Sequence, residues 1–276
     1  MKIIFLDADG TLLHHDGFIP KSAIQACKLA QKNGHKICLC TGRQIVEIYG
    51  DLNKIKYDGI VSASGSTVVI NDRIVDDNIF NQHDLEELTS YFSNKQIPYI
   101  VENSKGLFGT KEAKSVLENR LEKYCAGMSK AEKENNGFTQ VVNQVTIVDS
   151  MKSIGFNKVC FFESPVDFNE LVEQFSKRFE VIPATYAPYG ERSGEITCKD
   201  ITKATGMQRI QEHYGCDSKD IISIGDGYND LCMFKASNIS IAMGNAPEDI
   251  KKETNYVTDT LENDGIYKAF QMLQLI

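Results

Sequence analysis

Short apolar runs alternate with longer amphipathic segments along most of the chain. The runs Ile3–Leu6, Lys36–Cys40, Gly59–Ser62 and Ile221–Ile224 are typical of strands buried in the core of a sheet. Between the first two runs, Ser22–Lys32 has the pattern of a helix. This alternation predicts the α/β class, with a doubly wound, Rossmann-like parallel sheet as the core.

The pattern changes between residues 82 and 189. This change predicts a core formed by residues 1–81 and 190–276 and an inserted α/β domain formed by residues 82–189. The predicted elements of the insertion are helix Leu85–Asn94, strand Ile97–Val101, helix Ala113–Tyr124, strand Lys158–Phe162, helix Phe168–Arg178 and strand Phe179–Ile182. The polar stretch Ser129–Gly137 predicts an exposed loop, and Pro183, Pro188 and Gly190 predict the return to the core.

Two carboxylates follow the first apolar run directly, at Asp7 and Asp9. Ligands of open α/β sheets bind at the carboxyl ends of strands, so this pair lies where chemistry is usually carried out. With one residue between them, Asp7 is suited to act as a nucleophile. Asp9 is suited to handle the proton of a leaving group.

A second acidic group follows the apolar run at 221–224, in the sequence Gly225-Asp226-Gly227-Tyr228-Asn229-Asp230. If the two strands are neighbours, these acids converge with the first pair, and like charges about 4 Å apart repel by roughly 4 kcal/mol at an effective dielectric near 20. A positive group must therefore lie among them. Oxygen-only ligands, completed by water and a substrate phosphate, favour Mg²⁺.

Groups suited to hold a phosphate appear at two further places. Thr41 and Gly42 follow the strand at 36–40 and offer a hydroxyl and backbone N–H groups. Lys203 stands at the predicted start of a helix that runs to His213, where an ammonium can neutralise phosphoryl oxygens. Asn229 adds another possible donor.

Taken together, these segments resemble the four ordered motifs of the haloacid dehalogenase superfamily of phosphohydrolases. The matching segments are Asp7-Ala8-Asp9-Gly10-Thr11, Thr41-Gly42-Arg43, Lys203 and Gly225–Asp230. The later stretch Ala242-Met243-Gly244-Asn245-Ala246-Pro247, with the long insertion, is most similar to the Cof-type subgroup, subfamily IIB, which has an α/β cap domain of type C2B. The resemblance extends over essentially the whole chain.

The resemblance implies a role for each motif residue. Asp7 would attack phosphorus and form an aspartyl-phosphate, and Asp9 would protonate the leaving alcohol and then activate water. The implied Mg²⁺ ligands are Asp7, the backbone carbonyl of Asp9, Asp226 and, close by, Asp230. Phosphate binding falls to Thr41, Gly42, Lys203 and Asn229. The implied substrates are small phosphomonoesters, with sugar phosphates first among them.

Composition supports this interpretation and excludes others. The chain has 276 residues with 42% hydrophobic and 25% charged content, which is ordinary for a globular protein with two domains. Its formal charge of -8 argues against a nucleic-acid partner and fits a small phosphorylated metabolite. The eight cysteines form no disulfide framework, and no apolar run is long enough for a membrane span, so we expect a cytoplasmic protein.

Several alternatives stay open at this level. As alternatives to this main interpretation, the motifs also allow a phosphotransferase or phosphomutase, or a phosphatase of nucleotides, flavin mononucleotide or pyridoxal phosphate. A non-catalytic receiver-like module is disfavoured, because receiver domains are about half this length. Lys152, Asn157 and Tyr189 are unranked candidates for substrate contacts, and His14, His15 and His35 are interpreted as surface or packing residues. The oligomeric state is not determined.

Overall fold

A computed structural model of the protein describes residues 1–151, 153–184 and 187–276. Its strands are, in chain order, β1 Ile3–Leu6, β2 Lys36–Cys40, β3 Gly59–Ser62, β4 Thr67–Ile70, β5 Arg73–Asp77, β6 Tyr99–Asn103, β7 Gly106–Gly109, β8 Val145–Ile147, β9 Lys158–Phe161, β10 Phe179–Pro183, β11 Gly194–Cys198, β12 Ile221–Gly225, β13 Ile239–Ala242 and β14 Tyr256–Val257. Its helices are α1 Lys21–Lys32, α2 Gln82–Asn94, α3 Lys111–Tyr124, α4 Lys130–Asn135, α5 Gly137–Gln144, α6 Phe168–Phe175, α7 Lys203–Tyr214, α8 Leu231–Ala236, α9 Glu248–Lys252 and α10 Gly265–Met272.

The chain divides into two compact units. The core unit consists of Met1–Asp77 and Ile201–Ile276, and the inserted unit consists of Asn78–Asp200. In the core unit, eight strands form one sheet in the order β14-β13-β12-β1-β2-β3-β4-β5. The pairs from β14 to β3 are parallel, and β4 and β5 add an antiparallel edge.

Helices pack on both faces of the core sheet because its central strand is apolar on both sides. All four residues of β1 are fully buried. Ile4 and Leu6 belong to the apolar cluster that includes residues of α1 and α10, while Ile3 and Phe5 belong to the cluster that includes Met207 of α7. This is the arrangement of a doubly wound sheet, and it confirms the predicted fold class.

The inserted unit has its own six-stranded sheet, in the order β10-β11-β9-β6-β7-β8. All pairs are antiparallel except β7 with β8. One face packs on Phe92 of α2 and Phe175 of α6 through Val101, Phe161 and Ile196. The unit therefore has a hydrophobic core of its own.

Several predicted details of the insertion are wrong. The predicted return to the core, with the boundary after residue 189, comes too early because β11 pairs with both β9 and β10 and so belongs to the inserted unit. The predicted loop at 129–137 contains α4, which begins with a capping box between Ser129 and Glu132. The first boundary moves from residue 81 to Asp77.

Two of the candidate substrate contacts are buried within the inserted unit. Asn157 is fully buried, and Tyr189 is 4% exposed with its ring packed against Phe162. Their role as substrate contacts stays a prediction. Lys152 lies outside the described residues.

Within the described part of the chain, no helix combines the length and apolar character that a membrane crossing needs.

Candidate active site

The two acidic motifs meet at one edge of the core sheet. Leu6, the last residue of β1, lies opposite Ile224 of β12 in parallel register, and the backbone N–H of Asp7 donates to the carbonyl of Ile224 at 2.9 Å. Asp7 thus leaves β1 at the level of Gly225, the residue before Asp226. The carboxyl ends of these strands form the edge where ligands of such sheets bind.

The structure brings three carboxylates and one ammonium close together there. One carboxylate oxygen from each of Asp7, Asp226 and Asp230 lies within 4.8 Å of the others. Lys203 Nζ donates to Asp7 Oδ1 at 2.6 Å and to Asp230 Oδ1 at 2.7 Å. We call these four residues the acidic cluster. Lys203 is only 1% exposed, so both ion pairs are shielded from solvent.

The acidic cluster holds more negative charge than one ammonium balances. Burial, and then the charge of Asp230, raises the pKa of Asp7 well above its ordinary value, although Lys203 opposes the shift. The same two causes raise the pKa of Asp226 from 3.8 to about 6. Burial alone would lower the pKa of Lys203, but the carboxylates of Asp7 and Asp230 raise it well above its ordinary value.

Lys203 is positioned by the start of α7. Thr202 precedes the helix as its N-cap, and its hydroxyl accepts from the N–H of Thr205 while Thr205 Oγ1 accepts from the N–H of Thr202. The turn after β3 approaches this point so closely that a Cβ on Gly65 would overlap the carbonyl of Thr202. Gly65 also has a φ of 112°, so both close approach and backbone conformation require glycine.

The carboxylate of Asp226 accepts hydrogen bonds from the segments that follow β1 and β13. Thr11 Oγ1 donates to Asp226 Oδ1 at 3.0 Å, and Asn245 Nδ2 donates to Asp226 Oδ2 at 3.1 Å and to the carbonyl of Gly10 at 3.0 Å. Gly10 has a φ of 82°, and a Cβ there would overlap the Asp226 carboxylate. Asp230 Oδ2 accepts from the backbone N–H of Asp226 at 3.0 Å.

The side chain of Asp9 turns to a different partner. Arg43 donates from Nε to Asp9 Oδ2 at 2.9 Å and from Nη2 to Asp9 Oδ1 at 2.6 Å, which makes a bidentate ion pair. Arg43 Nη1 also donates to the carbonyl of Glu47 at 3.2 Å. The carboxylate of Asp9 therefore lies outside the acidic cluster, and only its backbone carbonyl is left as a possible metal ligand.

The predicted phosphate-binding residues are distributed around the same strand ends. Thr41 follows β2, which is the other neighbour of β1, and it is 1% exposed. Its backbone N–H donates to the carbonyl of Val61, and its hydroxyl accepts from the backbone N–H of Arg43. Gly42 comes next in that turn, where a Cβ would lie 3.5 Å from Ser64 Oγ. Asn229 is exposed on the turn between Gly227 and Asp230.

The donor set fits Mg²⁺. The acidic cluster offers carboxylate oxygens from three residues, and two of these carboxyls keep raised pKa values even beside Lys203. An oxygen-only site with unbalanced negative charge suits a hard divalent cation. On the geometry alone, Asp7 and Asp226 are the best placed ligands, because Asp230 already accepts from Lys203 and two backbone N–H groups.

Three further site residues were not assigned from the sequence. Thr11 and Asn245 hold Asp226, and Arg43 holds Asp9. Asn245 follows β13, the next parallel strand after β12, so the same strand-end argument that selected Asp226 would have pointed to it. The Arg43 contact depends on the conformation of two loops and has no comparable signal in the sequence.

Comparisons with known proteins agree with this geometry. A family model described as haloacid dehalogenase-like hydrolase matches residues 4–270. The 5-amino-6-(5-phospho-D-ribitylamino)uracil phosphatase YwtE of Bacillus subtilis is 24% identical over 276 residues, covering 96% of each protein. Phosphatase BT1666 of Bacteroides thetaiotaomicron has a TM-score of 0.80 at 24% identity, covering 100% of this chain and 96% of that one. The subclass IIB sugar phosphatase BT4131 has a TM-score of 0.76 at 23% identity, with 100% of both chains covered.

Proposed function

Because the chain belongs to the haloacid dehalogenase-like hydrolases, we propose that it is a Mg²⁺-dependent phosphatase of small phosphomonoesters that works through an aspartyl-phosphate. The observation that carries the proposal is the acidic cluster, in which Asp7 lies beside Asp226 and Asp230 and is held by the buried Lys203. A nucleophilic carboxylate beside a cation site is the arrangement that phosphoryl transfer through an aspartyl-phosphate requires.

The proposed metal ligands are Asp7, Asp226 and the backbone carbonyl of Asp9, with Asp230 adjacent through Lys203. When bound, Mg²⁺ would neutralise charge on the phosphoryl oxygens and on the acids around them. The predicted phosphate ligands are Thr41, Gly42, Lys203 and Asn229, of which Lys203 supplies the buried positive charge.

In the first proposed step, an Asp7 carboxylate oxygen forms a bond to phosphorus while the bond from phosphorus to the ester oxygen breaks. Asp9 delivers its proton to that oxygen, and the alcohol leaves. An Asp9 that carries a proton cannot keep both hydrogen bonds from Arg43, so we expect the ion pair to loosen at this stage. Lys203 holds the attacking carboxylate in place.

In the second proposed step, Asp9 takes a proton from water as the water oxygen bonds to phosphorus and the bond from Asp7 to phosphorus breaks. Inorganic phosphate leaves, Asp7 is again a carboxylate, and Asp9 again carries the proton. Arg43 is positioned to return Asp9 to one orientation between steps, because its own guanidinium is fixed by the carbonyl of Glu47.

For the substrate, we propose sugar phosphates or closely related phosphorylated polyols. Support comes from the names of relatives, since BT4131 is a sugar phosphatase and YwtE acts on a phosphoribityl compound. The inserted unit would correspond to the family's cap, and its contribution to substrate choice stays a prediction.

The test measures phosphate release from a panel of esters, comprising sugar phosphates, nucleotides, flavin mononucleotide and pyridoxal phosphate. We expect Asp7→Asn to lower turnover by about 10³-fold or more, because the nucleophile is lost. Asp72→Asn, in an exposed hairpin turn, is the matched control and should keep full activity. A chelator should abolish activity, and added Mg²⁺ should restore it.

Wild-type activity in Asp7→Asn, or full activity without divalent cations, would refute the proposed mechanism. Product analysis separates hydrolysis from the remaining alternative: inorganic phosphate indicates a phosphatase, and an isomeric or newly formed phosphate ester indicates a mutase or phosphotransferase.

A further inference from the structure

A second group of potential metal ligands lies in the core unit, on the loop between β1 and α1. One ligand atom each from His14, His15 and Asp16 lies within 4.8 Å of the other two. His14 Nδ1 is 3.3 Å from Asp16 Oδ2, and His15 Nε2 is 3.4 Å from Asp16 Oδ1. We call these three residues the histidine cluster. His15 and Asp16 have side-chain exposures of 80% and 66%, so ions in solution can reach the cluster.

The tautomer of His14 follows from its two hydrogen bonds. The backbone N–H of Asp16 donates to His14 Nδ1 at 3.2 Å, so this nitrogen carries a lone pair. In the neutral ring the proton is then on Nε2, which donates to Glu262 Oε1 at 3.1 Å. A histidine that binds a metal through one nitrogen commonly donates from the other to a carboxylate, which is the arrangement here.

The His14 ring is also held by its surroundings. It stacks on Phe18 with ring centroids 4.6 Å apart, and its side chain is 10% exposed. The loop closes on itself through hydrogen bonds from the N–H of His14 to the carbonyl of Phe18 and from the N–H of Gly17 to the carbonyl of His14. One of the two nitrogen donors is therefore preoriented, which lowers the ordering cost of binding.

Charge distinguishes this cluster from another group of similar composition. His83, Asp84 and Glu87 on α2 also approach one another, but Arg178 forms ion pairs with both acids there. Among the described residues, no lysine or arginine forms an ion pair with Asp16 or Glu262. The two acids around His14 thus lack the positive charge that Arg178 supplies on α2.

We propose that His14, His15 and Asp16 form a second metal site, which binds a borderline divalent cation such as Zn²⁺, with Glu262 holding His14 in the binding tautomer. Two imidazoles and one carboxylate suit Zn²⁺, Ni²⁺ or Cu²⁺ rather than Mg²⁺. On binding, the cation takes the place of the Asp16 N–H at His14 Nδ1. The site differs in donor type from the oxygen-only acidic cluster and does not depend on the proposed phosphatase activity.

The test is calorimetric titration of the full chain with Zn²⁺ in excess Mg²⁺, so that the oxygen-only site is already occupied. We expect one equivalent of Zn²⁺ to bind in the wild type and this binding to be lost in His15→Ala and in Asp16→Asn. Glu262→Gln should weaken binding by about 10-fold, because only the outer partner of His14 changes. His83→Ala is the matched control and should bind Zn²⁺ as the wild type does.

A second measurement distinguishes metal binding at the histidine cluster from metal binding by the free thiols. Titration with Co²⁺ should give visible absorption without a thiolate charge-transfer band, and the His14 and His15 ring signals should shift in NMR spectra when Zn²⁺ is added. The proposal is overturned if no Zn²⁺ binds, if binding survives in His15→Ala and Asp16→Asn, or if His83→Ala removes it. Circular dichroism of each variant checks that the fold is retained.

Discussion

Replacement of Asp226 by asparagine is expected to stabilise the metal-free protein while removing its activity. In the folded state burial and the neighbouring Asp230 raise the pKa of Asp226 from 3.8 to about 6. A raised carboxyl pKa means that the folded state binds the proton more tightly than the unfolded state. The contribution of Asp226 to the free energy of unfolding is therefore most favourable below pH 3.8, falls between pH 3.8 and about 6, and stays low above that range.

The magnitude follows from the size of this shift. About two pKa units correspond to about 3 kcal/mol of destabilisation at pH 8. Asparagine removes the charge, but its side-chain oxygen and nitrogen still need hydrogen-bond partners. Its carbonyl can still accept from Thr11, whereas its amide would face the Asn245 amide, and this mismatch costs about 1 kcal/mol. We therefore expect Asp226→Asn to gain about 2 kcal/mol at pH 8 and only about 0.5 kcal/mol at pH 5.

The assay is urea denaturation of wild type and variant in the presence of a chelator, at pH 8 and pH 5. Added Mg²⁺ should raise the free energy of unfolding of the wild type and have little effect on the variant, because a ligand stabilises only the state that binds it. Asp72→Asn controls for the general effect of removing one negative charge. A variant that is less stable than wild type at pH 8, or a gain of equal size at both pH values, would refute the electrostatic reasoning.

Two further substitutions test how the site is built. Lys203→Met should destabilise the metal-free protein by about 3 to 5 kcal/mol in thermal or urea unfolding, because two buried carboxylates lose their shared partner; an unchanged stability would show that they are not ionised together. Gly65→Ala should lower both stability and turnover, because the new methyl group displaces the Thr202 carbonyl just before Lys203. The control is Gly17→Ala, at a position with positive φ but open space around it. This control should lower the free energy of unfolding by only about 1 kcal/mol and leave turnover unchanged. Equal losses in the two alanine variants would contradict this assignment.

Strand-end reasoning correctly predicted that Asp7, Asp226 and Asp230 meet, but the prediction that Asp9 joins them is wrong, because the Asp9 carboxylate pairs with Arg43. Parallel pairing fixes the level at which strands end, so Asp7 after β1 comes together with Asp226 and Asp230 after β12 once these strands are neighbours. From the sequence, Lys203 is predicted as a phosphate ligand at the start of a helix, whereas its ion pairs with Asp7 and Asp230 are a finding of the structure. The family resemblance drawn from the same motifs is confirmed by the match over residues 4–270. The catalytic and binding roles of these residues stay predictions.

The sequence was less informative where structure depends on loops or on marginal patterns. The contact from Arg43 to Asp9 depends on the conformation of the turns after β1 and β2, which hydrophobic patterning does not determine. α4 was missed because the polarity of its segment outweighed the capping box at its start. β11 was missed because the surrounding prolines and glycine indicated a crossing, although its residues alternate in the manner of a strand.

The division of the core unit between the two ends of the sequence determines the order in which the protein can be completed during synthesis. The inserted unit leaves the ribosome whole before the second core segment, Ile201–Ile276, is complete, and its strands pair only with one another in the described part of the chain. Until then β1 has β2 on one side and an open, apolar edge on the other, where β12 will lie. Such an edge is prone to aggregate, so a stalled or truncated nascent chain is expected to need a chaperone and to have no acidic cluster.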